Sequence, residues 1–233
     1  MIRMRSARPM SKPVHRKRRY VVVLSAVALA LAGCSGSDSD AQDEVAVRPS
    51  PSFAATNALS QRLLAEAVTL DPVRAVDLPV TGTATYRGAV SYVDGNVSDI
   101  PDDLEFPDYE TFIVNNADYV SEIRMSADFG DDSVDGSIGG FRNSNNVPFR
   151  IGLTFRGQIT SSSDDTAAFV GTLDGTNEFE NAEGETESKM LSGPIVGNFL
   201  GPRAETVLGT LAITKGFTGE ELGDVFGVFT AVQ

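Results

Sequence analysis

Tryptophan is absent from the sequence, and histidine and cysteine occur once each. Both single residues fall near the N-terminus, His15 inside a removable leader and Cys34 at its edge. Without a free imidazole or thiol, Ser-His and Cys-His nucleophilic machinery cannot be assembled, and zinc-type sites of thiolate and imidazole lack their ligands. Haem held by histidine or cysteine is excluded for the same reason, which leaves tyrosine or methionine as the available axial groups. Carboxylates abound, so a paired-acid hydrolase keeps its side chains, but no spacing singles out one pair. The sequence therefore offers no catalytic, cofactor-binding or metal-binding residue, and a non-enzyme is expected.

Positive charge is the next scarcity. Residues 1–33 hold eight of the 19 Lys and Arg residues and no acid, leaving 11 bases against 32 acids, a balance of −21, on the remainder. A surface of that sign repels phosphate backbones and anionic headgroups, so no nucleic-acid partner is expected. A cationic partner would be favoured electrostatically, although such charge also serves simply to keep a protein soluble.

Long apolar runs are missing too, apart from Tyr20–Ala32. That segment comes directly after Arg16-Lys17-Arg18-Arg19, and its 13 residues would make a helix of only ~20 Å, short of the ~30 Å hydrocarbon core. It is a signal peptide rather than a membrane span. Leu31-Ala32-Gly33-Cys34 fits a lipobox, in which small residues admit cleavage before a cysteine that is then acylated. Residues 1–33 are thus the expected lipoprotein signal peptide and Cys34 the lipidation site. Ser35, where an aspartate would argue for inner-membrane retention, directs the expectation to the outer membrane. The sequence leaves open whether the domain faces the surface or the periplasm.

Residues 34–54 read as a lipidated, flexible tether of Ser, Asp and Pro without apolar periodicity. In residues 55–77, Leu59, Leu63, Leu64, Ala67, Val68 and Leu70 recur at helical spacing, predicting a short helix with a connection behind it. From Leu78 the texture changes, and 20 of the 22 glycines lie beyond that point. Tyr119, Ser121, Ile123, Met125, Ala127 and Phe129 alternate with Glu122, Arg124, Ser126 and Asp128. Phe149, Ile151, Leu153 and Phe155 alternate likewise with Arg150, Gly152, Thr154 and Arg156. Strands are also expected at Thr81–Val93, Val134–Phe141, Ala167–Leu173, Val207–Thr214 and Val225–Val232. The aspartates at 128, 131, 132 and 135 crowd a glycine turn; they could ligate calcium, but lack the EF-hand pattern and read better as an acidic hairpin turn.

The C-terminal segment from Gly197 to Ala231 carries a recognisable motif. Gly197, Phe199, Gly201, Pro202, Ala204 and Gly209, then Gly227, Phe229 and Ala231, match the C-terminal signature G-x-F-Y-G-P-x-A-x-E-x-G-G and G-x-F-x-A. Leu200, Thr206 and Leu208 depart from it. Asp128-Phe129 with Val134, Gly136 and Ile138 fits a second motif, D-F-x-x-x-x-V-x-G-x-I. Residues 78–233 therefore resemble the β-barrel domains of the transferrin-binding protein B family. The resemblance implies an all-β fold, a single antiparallel barrel of about eight strands, with the matched residues structural. A membrane-spanning barrel is not expected, because the chain beyond the leader keeps only four tyrosines and no tryptophan for interfacial girdles.

Family members are lipoproteins that capture host proteins or haem-type ligands. The resemblance thus implies an outer-membrane-anchored lipoprotein binding an unknown protein or small molecule, within iron, haem or other solute capture. One barrel without a second lobe argues against transferrin itself. The alternative is a structural or interaction lipoprotein of the envelope with no transported ligand. Two acidic stretches are the candidate contact regions. Asp94–Asn116 has seven acids, no base, and the candidate partner-binding residues Phe106, Tyr109 and Phe112. The competing expectation is that these aromatics pack back on the barrel, with Phe112-Ile113-Val114 as a strand. Asp174–Glu187, with six acids and Phe179, reads as a solvated hairpin loop.

Overall fold

The computed structural model describes residues 51–94, 104–162, 164–181, 183–213 and 225–233. The leader, Cys34 and nearly all of the tether lie outside the described residues. Eight strands succeed one another as β1 (Thr83–Asp94), β2 (Tyr119–Asp128), β3 (Ser133–Asn143), β4 (Arg150–Ser161), β5 (Ala167–Glu180), β6 (Thr186–Leu200), β7 (Thr206–Ile213) and β8 (Val225–Val232). Each pairs antiparallel with the next in sequence, and β8 returns to pair with β1, closing the barrel. Closure removes the unpaired edges that an open sheet of short strands would present.

The alternation seen in the sequence is the alternation of the wall. In β2 and β4 the apolar members Ile123, Met125, Ala127, Ile151, Leu153 and Phe155 are buried, while Arg124, Ser126, Arg150, Gly152, Thr154 and Arg156 are exposed. Successive strand residues point to opposite faces, so one apolar set fills the interior. That interior is packed with rings. Phe199 lies with its centroid 6.3 Å from Tyr86 and Phe169 and 5.9 Å from Phe129, and Phe169 lies 6.2 Å from Phe229.

Glycine makes room for those rings. Four inward aromatics stand directly opposite a glycine on the adjoining strand: Phe155 opposite Gly136, Phe169 opposite Gly197, Phe229 opposite Gly209, and Tyr92 opposite Gly227. A β-carbon on these glycines would come within 2.2 Å, 2.6 Å, 2.5 Å and 2.7 Å of the respective rings. Each ring therefore lies on bare backbone, and covers the surface that the glycine leaves open. All four are motif glycines, Gly136 of the second motif and Gly197, Gly209 and Gly227 of the C-terminal one, and each thus has a steric reason to be glycine.

The β6–β7 turn accounts for the rest of the motif. Gly201 and Ala204 both take left-handed conformations, with φ of +80° and +55°. The carbonyl of buried Ala204 accepts from the Tyr86 hydroxyl at 2.7 Å and from Gln233 Nε2 at 3.1 Å. Glu205 Oε2 accepts from the Arg203 amide at 2.7 Å, and a β-carbon on Gly201 would meet the Glu205 carboxyl at 2.8 Å.

Outside the wall sits α1 (Phe53–Ala67), capped by Ser52, whose hydroxyl accepts from the Ala55 amide at 3.2 Å. The helix thus starts two residues before the expected boundary at residue 55. Its Leu64 and Ala67 join Leu200, Leu208 and Val228 of the barrel's outer surface in a second apolar cluster. A buried hydroxyl pair, Ser91 Oγ to Ser60 Oγ at 2.9 Å, ties α1 to β1. Behind α1 the chain crosses one end of the barrel. The Val73 amide donates to Phe199 O at 2.9 Å, and Val73 O accepts from the Ala167 amide at 2.7 Å, placing the Val73 side chain on the core.

Two expectations are corrected. Phe112-Ile113-Val114 is not a strand but the core of α2 (Asp108–Asn115), where Tyr109, Phe112 and Ile113 share one helical face. Asp174–Glu187 is not mainly a loop, since β5 runs to Glu180 and β6 begins at Thr186. Asp174, Glu178 and Glu180 are all exposed on the wall's outer face, while Asn177 between them is buried. The aspartates at the β2–β3 hairpin hold its turn: Asp128 Oδ1 accepts from the amides of Gly130 and Asp131 at 2.9 Å and 3.3 Å.

The buried phenols set an alkaline limit. Burial pushes Tyr92 well above the ordinary range although it bonds Ser121 Oγ at 2.8 Å. Burial and the neighbouring Asp94 push Tyr119 up to about 12, and burial raises Tyr86. The folded state holds these protons more tightly than the unfolded chain, so their contribution is full below pH ~10 and is lost as pH rises beyond it. Denaturant midpoints are expected to be level from pH ~7 to ~9 and to fall steeply above ~10. A midpoint unchanged at pH ~11 would contradict this.

Candidate binding site on the outer face of the barrel

The three aromatic residues proposed for partner contact separate on folding. Tyr109 and Phe112 are half-buried and pack on the apolar cluster beneath α1 and α2. Phe106 does not. It precedes α2 and remains 61% exposed, with Leu104 behind it turned to the cluster. Residues 95–103 of the same acidic stretch lie outside the described residues.

Phe106 forms one wall of a groove of about 360 Å³ on the outer surface of β6 and β7. Val196, Asn198 and Leu200 of β6 and Leu208 and Thr210 of β7 make the floor. The far wall is Pro72 with the β4–β5 turn residues Ser162, Asp164 and Thr166. Val196 is 40% exposed and faces Val170 across the β5–β6 pair, so apolar surface continues beyond the groove.

Among the described residues, two carboxylates line the groove and no base does. Glu110 comes from α2; its Oε2 is buried with no hydrogen-bond partner among the described residues, and burial raises its carboxyl above the ordinary value. Asp164 is exposed, and hydroxyl donors hold its carboxyl below the ordinary carboxylate range. Ser162 Oγ supplies the first of these, and Thr166 Oγ1 donates to Asp164 Oδ1 at 3.2 Å. The adjacent Asp165 is engaged by Arg74 at 3.1 Å. The groove thus sets Val196, Leu200 and Leu208 beside Asn198 and Thr210 along its floor, with a carboxylate from α2 and another from the β4–β5 turn.

A wider, shallower depression of about 860 Å³ lies over β3–β5, around Arg156, Gly157, Val170 and Gly171. Gly157 and Gly171 face each other across the pair with no inward side chain. Its Arg156–Asp135 ion pair, at 3.3 Å, is largely exposed and has little energetic weight. Of the two depressions, the one beside Phe106 carries the chemistry of a contact site.

Glu110, Asp164 and Val196 carry no mark in the sequence that singles them out as contact residues. Val196 has the strongest signal of the three, being an apolar residue at an outward position between Pro194 and Asn198, both exposed. Asp164 reads like any acid in a turn.

Comparison with known proteins fits the wall and its motif. No curated protein matches the chain. Among solved structures, it resembles a variant of the vaccine antigen transferrin-binding protein B from Haemophilus parasuis Hp5, at 19% identity and a TM-score of 0.40, over 70% of this chain and 28% of that one. Intact Ap-TbpB, with N and C lobes, gives 18% identity and a TM-score of 0.39 over the same shares of the two chains. The chain therefore spans little more than a quarter of these relatives. Residues 78–233 match the family described as the C-lobe and N-lobe beta barrels of Tf-binding protein B. Since that match takes in more than half of the sequence, the chain belongs to the transferrin-binding protein B barrel family.

Proposed function

We propose that this chain is a lipoprotein of the outer membrane, anchored through acylated Cys34, that works by binding a protein partner on the outside of its barrel rather than by catalysis. The observation that carries the reading is the interior filled by side chains, among them Tyr86, Tyr92, Phe141, Phe169, Phe199 and Phe229, each fully buried. A barrel packed in this way directs recognition to its outer surface and loops. The relatives are named for binding transferrin, and a protein ligand is the class this chain shares with them. Iron or haem capture is the setting that the family name suggests. An envelope interaction partner with no transported cargo fits the same exterior surface.

The anchor is testable separately from the ligand. In Cys34→Ser, metabolic labelling with a palmitate analogue is expected to disappear and the unprocessed precursor to accumulate. Persisting label would remove the lipoprotein assignment. On intact cells, protease cleavage within residues 35–50 would mean surface display, and protection until the outer membrane is opened would mean a periplasmic face.

A further inference from the structure

The groove beside Phe106 has the chemistry of a specific kind of partner. Glu110 Oε2 is a buried acceptor with no hydrogen-bond partner among the described residues. A buried unpaired oxygen costs free energy that an incoming N–H recovers, while an anionic or purely apolar ligand leaves the cost in place. Asp164 stands on the far wall, and Arg74, two residues beyond Pro72, is held by Asp165 at 3.1 Å. The same groove is lined by Phe106 and Val196, exposed apolar surface at 61% and 40%. The volume of about 360 Å³ suits a few side chains rather than an extended organic ligand.

We propose that this groove is the docking site for a basic segment of a protein partner. An Arg or Lys side chain reaches Glu110 and Asp164, and its apolar neighbour packs between Phe106 and Val196. The inference rests on the reading of the chain as a binding protein and assigns that reading a place and a partner chemistry. The negative balance of the chain beyond residue 33 steers such a segment inward and makes the association salt-sensitive.

The test uses the purified chain and a fluorescent peptide, acetyl-Leu-Arg-Leu-Lys-Leu-amide, with acetyl-Leu-Glu-Leu-Glu-Leu-amide as its acidic counterpart. The basic peptide is expected to bind and the acidic one not to. Phe106→Ala should weaken binding about tenfold, Asp164→Asn several-fold, and added salt should weaken it further. Phe106 is exposed, so its truncation leaves the fold intact, and Val147→Ala, at an exposed apolar site away from the groove, should leave binding unchanged. Binding of the basic peptide equal in Phe106→Ala and the parent, or absent from the parent, overturns the proposal. Failure of the lipoprotein reading would appear elsewhere, as palmitate labelling that survives Cys34→Ser. A partner still captured by the Phe106→Ala chain would leave the binding function standing and remove only the groove.

Discussion

Phe229→Ala is expected to cost the barrel roughly 3–5 kcal/mol and to lower its melting temperature by roughly 6–20 °C. The ring is fully buried, lies 6.2 Å from Phe169, and rests on the backbone of Gly209, where a β-carbon would be 2.5 Å from Phe229 Cζ. It also reaches Gly197, whose β-carbon would be 3.1 Å away. Truncation therefore leaves a void beside two glycines that have no side chain to fill it, and the wall cannot collapse without breaking strand pairs. Against a total stability of about 5–15 kcal/mol, a loss of that size can unfold a substantial part of the population at physiological temperature. Val196→Ala, on the outer face, should stay within about 0.5 kcal/mol of the parent. Urea denaturation of the two variants separates the cases. A Phe229→Ala loss below ~1 kcal/mol would mean that the aromatic–glycine pairing is not what holds the C-terminal strands together.

Much of this wall is legible in the sequence because strand side chains alternate with period two, and a buried face leaves an unambiguous apolar set. β2 and β4 show it fully, with Ile123, Met125, Ile151 and Leu153 inside and charged residues outside. The second half of β5 is hidden because clustered acids resemble a loop signal. Asp174, Glu178 and Glu180 occupy only exposed positions, a pattern a strand tolerates as well as a loop does. α2 is hidden because its apolar residues are few; Tyr109, Phe112 and Ile113 fit a helix face, but adjacent Phe112-Ile113-Val114 also fits a strand. The groove is beyond sequence reasoning altogether. It brings together Pro72, Phe106, Glu110, Asp164 and Val196 from separate segments of the chain. The path of Asp71–Ala75, pinned to Phe199 and Ala167, sets Pro72 there, and the packing of α2 on the apolar cluster with Leu200 and Leu208 brings up Phe106 and Glu110.

Gly88→Ala tests the closing seam directly, and its effect should match or exceed the loss of the Phe229 ring. Gly88 stands opposite Ala231 where β1 pairs with β8. A β-carbon there would lie 1.8 Å from Thr230 O and 2.6 Å from Ala231 Cα. Both are backbone atoms, so no rotamer change relieves the clash, unlike ordinary overpacking that costs about 1–3 kcal/mol when side chains can yield. The only relief is to move β8 away from β1, which breaks hydrogen bonds on both sides of the site. β1 is also braced from outside by Ser60 of α1 through Ser91, so displacement on that side strains the helix contact too. A loss of at least ~3 kcal/mol, with the cooperative thermal transition broadened or absent, is the expected result. Gly152→Ala provides the control, since its outward β-carbon would meet nothing within 4 Å. If Gly88→Ala melts within ~2 °C of Gly152→Ala, β1 and β8 do not close the barrel at this register.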